Sequence, residues 1–163
     1  MTKKDLQFSV SVFDSSDELD LPDRELLASA RKVTEVAYAP YSKFRVGATA
    51  VLTNGKIVSG TNQENASFPV GICAERVLLS SVASQYPGVG VLAIAISYHN
   101  LQGSSNHPIS PCGICRQSLC EYEEWTKQPI RLILSGMEGE VYILDKSSDL
   151  LPLSFGSVDL TKG

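Results

Sequence analysis

The sequence predicts an α/β fold in which helices pack on both faces of a sheet. Three observations carry that prediction. Helix-type and strand-type runs alternate from Val91 onward, as they do in layered α/β domains. The run "VLAIAIS", Val91 to Ser97, is continuously apolar and rich in β-branched residues, the composition of a strand buried on both faces. Asn54-Gly55 separates two runs of strand character and is the strongest short-range hairpin signal.

Residues 1–20 are polar, turn acidic toward their end and show no sustained period, so they read as a loose, peripheral arm ahead of a single domain over 21–163. In "LPDRELLASARKVTEVAYAP", Pro22 suits a first helical turn, and Leu26, Ala30, Val33 and Ala37 recur at intervals of three and four. A helix is expected there until Pro40 stops it. Phe44, Val46, Ala48, Ala50 and Leu52 then alternate on one face of a strand, and a second strand follows the turn through Val58. The run after Pro69 reads as helix to about Gln85, closed by "PGVG". Beyond Ser97, "NLQGSSNHPIS" is a loop, "CGICRQSLCEYEEW" returns to helix, and "IRLILS" and "EVYIL" supply two more strands.

At 163 residues, 43% hydrophobic and 20% charged, the chain has the size and composition of one domain with its own core. Neither a metal nor a disulfide is needed merely to hold it together. A net charge of −4 disfavours nucleic acid, whose binding draws on Lys and Arg neutralising phosphates. No stretch approaches the roughly 18 apolar residues of a membrane span, and the N-terminus lacks the apolar segment of a secretory signal. The expected location is the cytoplasm, with no membrane partner. In a reducing compartment the four cysteines, Cys73, Cys112, Cys115 and Cys120, read as metal ligands or a redox pair.

The stretch "VGICAERVLL" puts Cys73, Glu75 and Arg76 within four positions of an otherwise apolar run, although Glu and Arg seldom go inside unpaired. Downstream, "PCGIC" places Cys112 and Cys115 at the start of a helical run. There both thiolates can converge on one ion while the positive end of the helix dipole favours their ionised form; a redox pair would share that spacing. Cys73, also at a predicted helix start, completes a triad. Three thiolates leave one tetrahedral position open, which separates a catalytic zinc from a structural one. Cys120 lies about a turn and a half further along the same helix and reads as a buried core cysteine. Glu75 sits beside the metal without ligating it, where a carboxylate can take a proton from water and pass it to a leaving group. Taken alone, it would read as a solvated first-turn glutamate. Arg76 would offset the negative charge of three thiolates by donating to the sulfurs.

These residues, Cys73-Ala74-Glu75-Arg76 with "PCGICRQ" downstream, resemble the signature of the small cytidine deaminases, homotetrameric zinc enzymes of pyrimidine salvage. Further segments run in family order from about Leu26 to Phe155. "YAPYSKFRVGA" resembles the entry to the first core strand, where Phe44 would face the pyrimidine ring. "GTNQENASFP" resembles the ribose-binding loop, in which Asn62 and Glu64 would hydrogen-bond the sugar hydroxyls. "LLPLSF" resembles the tail that carries an aromatic residue, here Phe155, into a neighbouring subunit's active site. The resemblance implies a three-layer α/β/α fold with a five-stranded mixed sheet and one Zn(2+) per chain held by Cys73, Cys112 and Cys115. It also implies a homotetramer, with a homodimer as the alternative. The activity implied is hydrolytic deamination of cytidine or deoxycytidine with Glu75 as proton carrier; the backbone at Ala74 would hold the base's polar edge.

Departures from the family pattern are Arg45 where proline is frequent, Phe68 where tyrosine is frequent, and a long loop from His99 to Ser110. His107 in that loop is expected to be solvent-exposed rather than a ligand. The altered loop leaves open a cytosine-nucleoside antibiotic of the blasticidin type as substrate. From a different class, the cysteines would form a structural zinc clip in an interaction module, which would need a fourth protein ligand.

Overall fold

The computed structural model describes residues 1–161. Six strands form one sheet: β1 (Ser11–Phe13), β2 (Phe44–Leu52), β3 (Ile57–Thr61), β4 (Val91–Asn100), β5 (Arg131–Ser135) and β6 (Val141–Leu144). Their order across the sheet is β1-β6-β5-β4-β2-β3. The β4–β5 pair is parallel and every other pair antiparallel, so the sheet is mixed. Four α-helices accompany it: α1 (Leu21–Val33), α2 (Ala74–Gln85), α3 (Gly113–Thr126) and the short α4 (Ser157–Thr161).

The side-chain alternation of β4 and β5 divides the core in two. Ile94, Ile96, Leu132 and Leu134 join Leu78 and Val82 of α2 and Leu119 of α3 in one cluster. Ala93, Ala95 and Ile133 join Leu26, Leu27 and Ala30 of α1 in the other. Helix α1 therefore covers one face and α2 with α3 the other, giving the expected α/β/α layers, and "VLAIAIS" is buried on both sides except at Leu92, which is exposed near the start of β4. The β2 reading also holds: Ala48, Ala50 and Leu52 lie in the α2/α3 cluster with Val46 packed against it.

The sheet has six strands where five were expected. The extra one comes from the arm, which is not wholly loose: Ser11, Val12 and Phe13 pair with Ile143, Tyr142 and Val141. The half-buried Phe13 packs against the α1 cluster and Val10, just before the strand, against the α2/α3 cluster, so the arm is tied to the core on both faces of the sheet.

Two helices are shorter than the periodicity predicts. Helix α1 begins at an Asp20 cap, whose carboxylate accepts from Asp23 N at 3.0 Å, but it ends at Val33 instead of running on to Pro40. After a 3-10 turn at Thr34–Val36, Tyr38 N donates to Asn62 O at 3.2 Å and Tyr38 O accepts from Glu64 N at 2.8 Å. That backbone pairing competes with further helix. Helix α2 starts at Ala74 rather than just after Pro69, because Gln63 and Ile72 exchange backbone hydrogen bonds of 2.9 and 3.0 Å. Both exchanges tie the 62–64 segment into its surroundings.

Gly60 seats α2 on β3. A Cβ there would stand 2.5 Å from Leu78 N and 2.6 Å from Ala74 O, both backbone atoms that cannot swing aside. Gly60→Ala is expected to force α2 outward and cost about 1–3 kcal/mol. The melting temperature should fall by about 2–4 °C per kcal/mol in a domain of this size. Gly113→Ala, in open space, serves as the comparison and should leave it near the wild-type value.

Candidate active site

Helices α2 and α3 open with cysteines in the capping positions. Cys73 is the N-cap of α2 and Cys112 the N-cap of α3, and neither side chain caps its own helix. Instead the sulfurs face one another: Cys73 Sγ and Cys112 Sγ are 3.7 Å apart, and Cys112 Sγ and Cys115 Sγ 3.5 Å. All three lie within 4.8 Å of one another. Tetrahedral zinc with arms of ~2.3 Å needs sulfurs about 3.8 Å apart, so the triad fits one zinc ion. Cys73 is half-buried, Cys112 exposed and Cys115 buried, leaving the group open on one side. Cys120 is buried and outside the triad; its position about 140° around α3 from Cys115 explains why. No fourth His, Cys, Asp or Glu joins the group among the described residues, so the closed shell of a structural clip is not formed.

Hydrogen bonds among the sulfurs set where they titrate. A hydrogen bond from Cys115 is the largest influence pulling Cys73 down to about 6, assisted by Cys112 and the charge of Arg76 and opposed by burial and Glu75. Cys115 is pushed up, first by that same hydrogen bond and then by burial. The two titrate as a pair that holds a proton between them, the proton a metal cation displaces.

Glu75, second residue of α2, is 5% exposed. Burial raises its pKa above the ordinary carboxylate range, against a hydrogen bond with Cys115 that lowers it. Glu75 and Ala74 line a cleft of about 330 Å³ together with Cys73, Cys112, Val46, Asn62, Glu64, Ile109 and Ser110. Ala74 opens α2, so its N–H has no intrahelical partner.

The remaining residues singled out in the sequence separate into those at the cleft and those beside it. Asn62 Oδ1 accepts from Val46 N at 2.8 Å and its Nδ2 donates to Phe44 O at 2.9 Å. The carboxamide thus holds the rim of β2 and keeps one donor and one acceptor in hand. Glu64 accepts from Tyr41 N at 2.8 Å and from Ser42 N at 3.3 Å. Its pKa is lowered, above all by the Ser42 hydroxyl. Val46 reaches the cleft wall on β2, whereas the Phe44 ring stacks on Tyr98, centroids 4.8 Å apart and 13° from parallel. Arg76 makes no hydrogen bond to sulfur among the described residues and acts on Cys73 through its charge alone; its side chain lines a groove with Trp125 and Phe155. Phe155 is 60% exposed on the outer side of α3, where its carbonyl accepts from Gln117 Nε2 at 2.9 Å. His107 is exposed, as expected, yet hydrogen-bonds Tyr98.

Sequence reasoning missed Arg116. Its Nε donates to Pro111 O at 2.8 Å and its Nη1 to Leu150 O at 2.9 Å, bracing the residue just before Cys112. An arginine one position after a candidate ligand, on a buried helix face, was the available signal.

A profile of the cytidine and deoxycytidylate deaminase zinc-binding region matches residues 21–127. The chain belongs to that deaminase family. Cytidine deaminase of Halalkalibacterium halodurans is 34% identical over 85% of this chain and 98% of its own. That of Mycobacterium tuberculosis is 34% identical over 84% and 92%. Among solved structures, cytidine deaminase from Burkholderia pseudomallei matches with a TM-score of 0.69 at 41% identity, covering 80% of this chain and 97% of that one. The three-cysteine group falls inside the matched zinc-binding region, and no helix among the described residues is long and apolar enough to cross a membrane.

Cys112→Ser is expected to lower the zinc of the purified deaminase well below one ion per chain, because a tetrahedral site loses one of its three protein ligands. Cys120→Ser should retain one. Elemental analysis after dialysis checks both.

Proposed function

We propose that the chain hydrolyses cytidine and deoxycytidine to uridine and deoxyuridine, with release of ammonia, in pyrimidine salvage. The observation that carries this reading is a buried carboxylate, Glu75, in the same cleft as three converging sulfurs. When bound, zinc supplies a water activated near neutral pH. Glu75 takes a proton from the attacking water and delivers it to N3 of the ring. As the C4–O bond forms, it carries a second proton from the new hydroxyl to the amine, and the C4–N bond breaks. Its raised pKa suits a group that must both accept and donate near neutrality.

Residues in and around the cleft divide the remaining work. The free N–H of Ala74 meets the polar edge of the base, and Phe44 shares a face of β2 with Val46 and lies against the ring. The spare donor and acceptor of Asn62 and the ionised Glu64 take the sugar hydroxyls. Arg76 tempers the negative charge of the thiolates. Phe155, exposed on its own chain, reaches a neighbouring subunit's cleft in a homotetramer. Residues 21–163 form the catalytic domain, of which Lys162 and Gly163 lie outside the described residues; residues 1–20 are an arm that lends one edge strand. The reaction takes place in the cytoplasm.

Glu75→Gln tests this reading. The variant should retain about one zinc per chain and lose about 10²–10⁴-fold or more of kcat/KM in a cytidine absorbance assay. Undiminished turnover would remove Glu75 from the mechanism.

A further inference from the structure

We infer that Tyr98 and His107 form a latch that sets the loop wall of the substrate cleft, an inference that rests on the cytidine reading of the site. Tyr98 is 1% exposed and is the cross-strand partner of Val46, which puts it on the sheet face that carries the cleft. A buried phenol needs a hydrogen-bond partner. Tyr98 Oη finds one in His107, 3.0 Å away at Nδ1, with the rings edge-on at 5.6 Å. His107 is itself exposed, so core packing does not account for its position.

The contact matters because of the residues that come directly after His107. Pro108 fixes its own φ, and Ile109 and Ser110 then line the cleft. Pro111 is buried with its carbonyl held by Arg116, and Cys112 comes next. The 107–112 segment is thus pinned at both ends, by Tyr98 upstream and Arg116 downstream. The first half of the loop has separate anchors: Ser105 Oγ accepts from Asn100 N at 2.9 Å, and Ser105 O accepts from Glu138 N at 3.2 Å. Loss of the latch therefore frees the wall without unravelling the loop.

The same Tyr98 ring stacks on Phe44. One buried side chain thereby touches both the Phe44 ring, which the cytidine reading sets against the base, and the histidine that precedes the loop wall at Ile109 and Ser110. Neither Tyr98 nor His107 lines the cleft. Both are positioning residues, and their effect belongs in substrate affinity rather than in proton transfer or zinc retention.

A double-mutant cycle on the zinc-loaded enzyme decides the matter, with kcat and KM for cytidine and zinc content measured for wild type, Tyr98→Phe, His107→Ala and the double variant. Each single change should raise KM about five-fold, the factor one net hydrogen bond is worth, with kcat within about two-fold of wild type. Zinc should stay at about one per chain. The double variant should be no worse than either single, because both break the same bond. His107→Gln, which keeps a hydrogen-bonding side chain, should recover most of the affinity. Should Tyr98→Phe fail to fold, His107→Ala and its rescue carry the test. The latch is overturned by a wild-type KM in His107→Ala, by effects that multiply in the double variant, or by a fall in kcat that tracks lost zinc. A wild-type protein inert toward cytidine would sink the substrate reading and this inference with it; turnover without coupling would sink this inference alone.

Discussion

Two helices that begin at the same place, each with a cysteine where a capping Ser, Thr or Asp would ordinarily sit, are the constraint on which the site depends. A conventional side-chain cap is worth about 1 kcal/mol, and α1 has one in Asp20. Cys73 and Cys112 provide none. Their sulfurs turn toward each other instead, with the positive ends of two helices behind them favouring thiolates. Cys115, one helical turn beyond Cys112, adds the third donor from the same face.

The other features of the site grow from that junction. Glu75 is buried in the first turn of α2, the helix that presses onto β3 at Gly60, where no side chain intervenes. Its burial raises its pKa, and its place two residues after Cys73 brings the carboxylate to the sulfurs without making it a fourth ligand. The cleft in front is walled by the ends of structural elements rather than by their middles: β2 at Val46, the segment after β3 at Asn62 and Glu64, and the loop before α3 at Ile109 and Ser110. Each wall is held by hydrogen bonds to backbone, from Asn62 on one side and Arg116 on the other.

What was legible in the sequence was local. The cysteines, Glu75 and the helix starts announce themselves by spacings of two or three residues, and β4 by composition alone. The rest depended on partners distant in sequence. Asn62 reads as a loop polar until Phe44 and Val46 are brought alongside it, and α1 keeps its helical period past Val33 although Tyr38 is drawn off to pair with Asn62 and Glu64. The edge strand at Ser11–Phe13 needed β6, more than a hundred residues on, to reveal itself. The hydrogen bond expected from Arg76 to sulfur is absent among the described residues, because the arginine lies along a groove on α3 and contributes charge alone. His107 could be judged exposed from its polar loop, but its bond to a tyrosine on β4 could not.

On the proposed reading, three thiolates at two helix starts hold a zinc ion and leave one position for chemistry. X-ray absorption at the zinc edge of the purified protein reads that shell without recourse to activity. Three sulfur neighbours at about 2.3 Å and one lighter atom at about 2.0 Å are expected. Four sulfurs, or a shell in which sulfur is the minority, would contradict that reading.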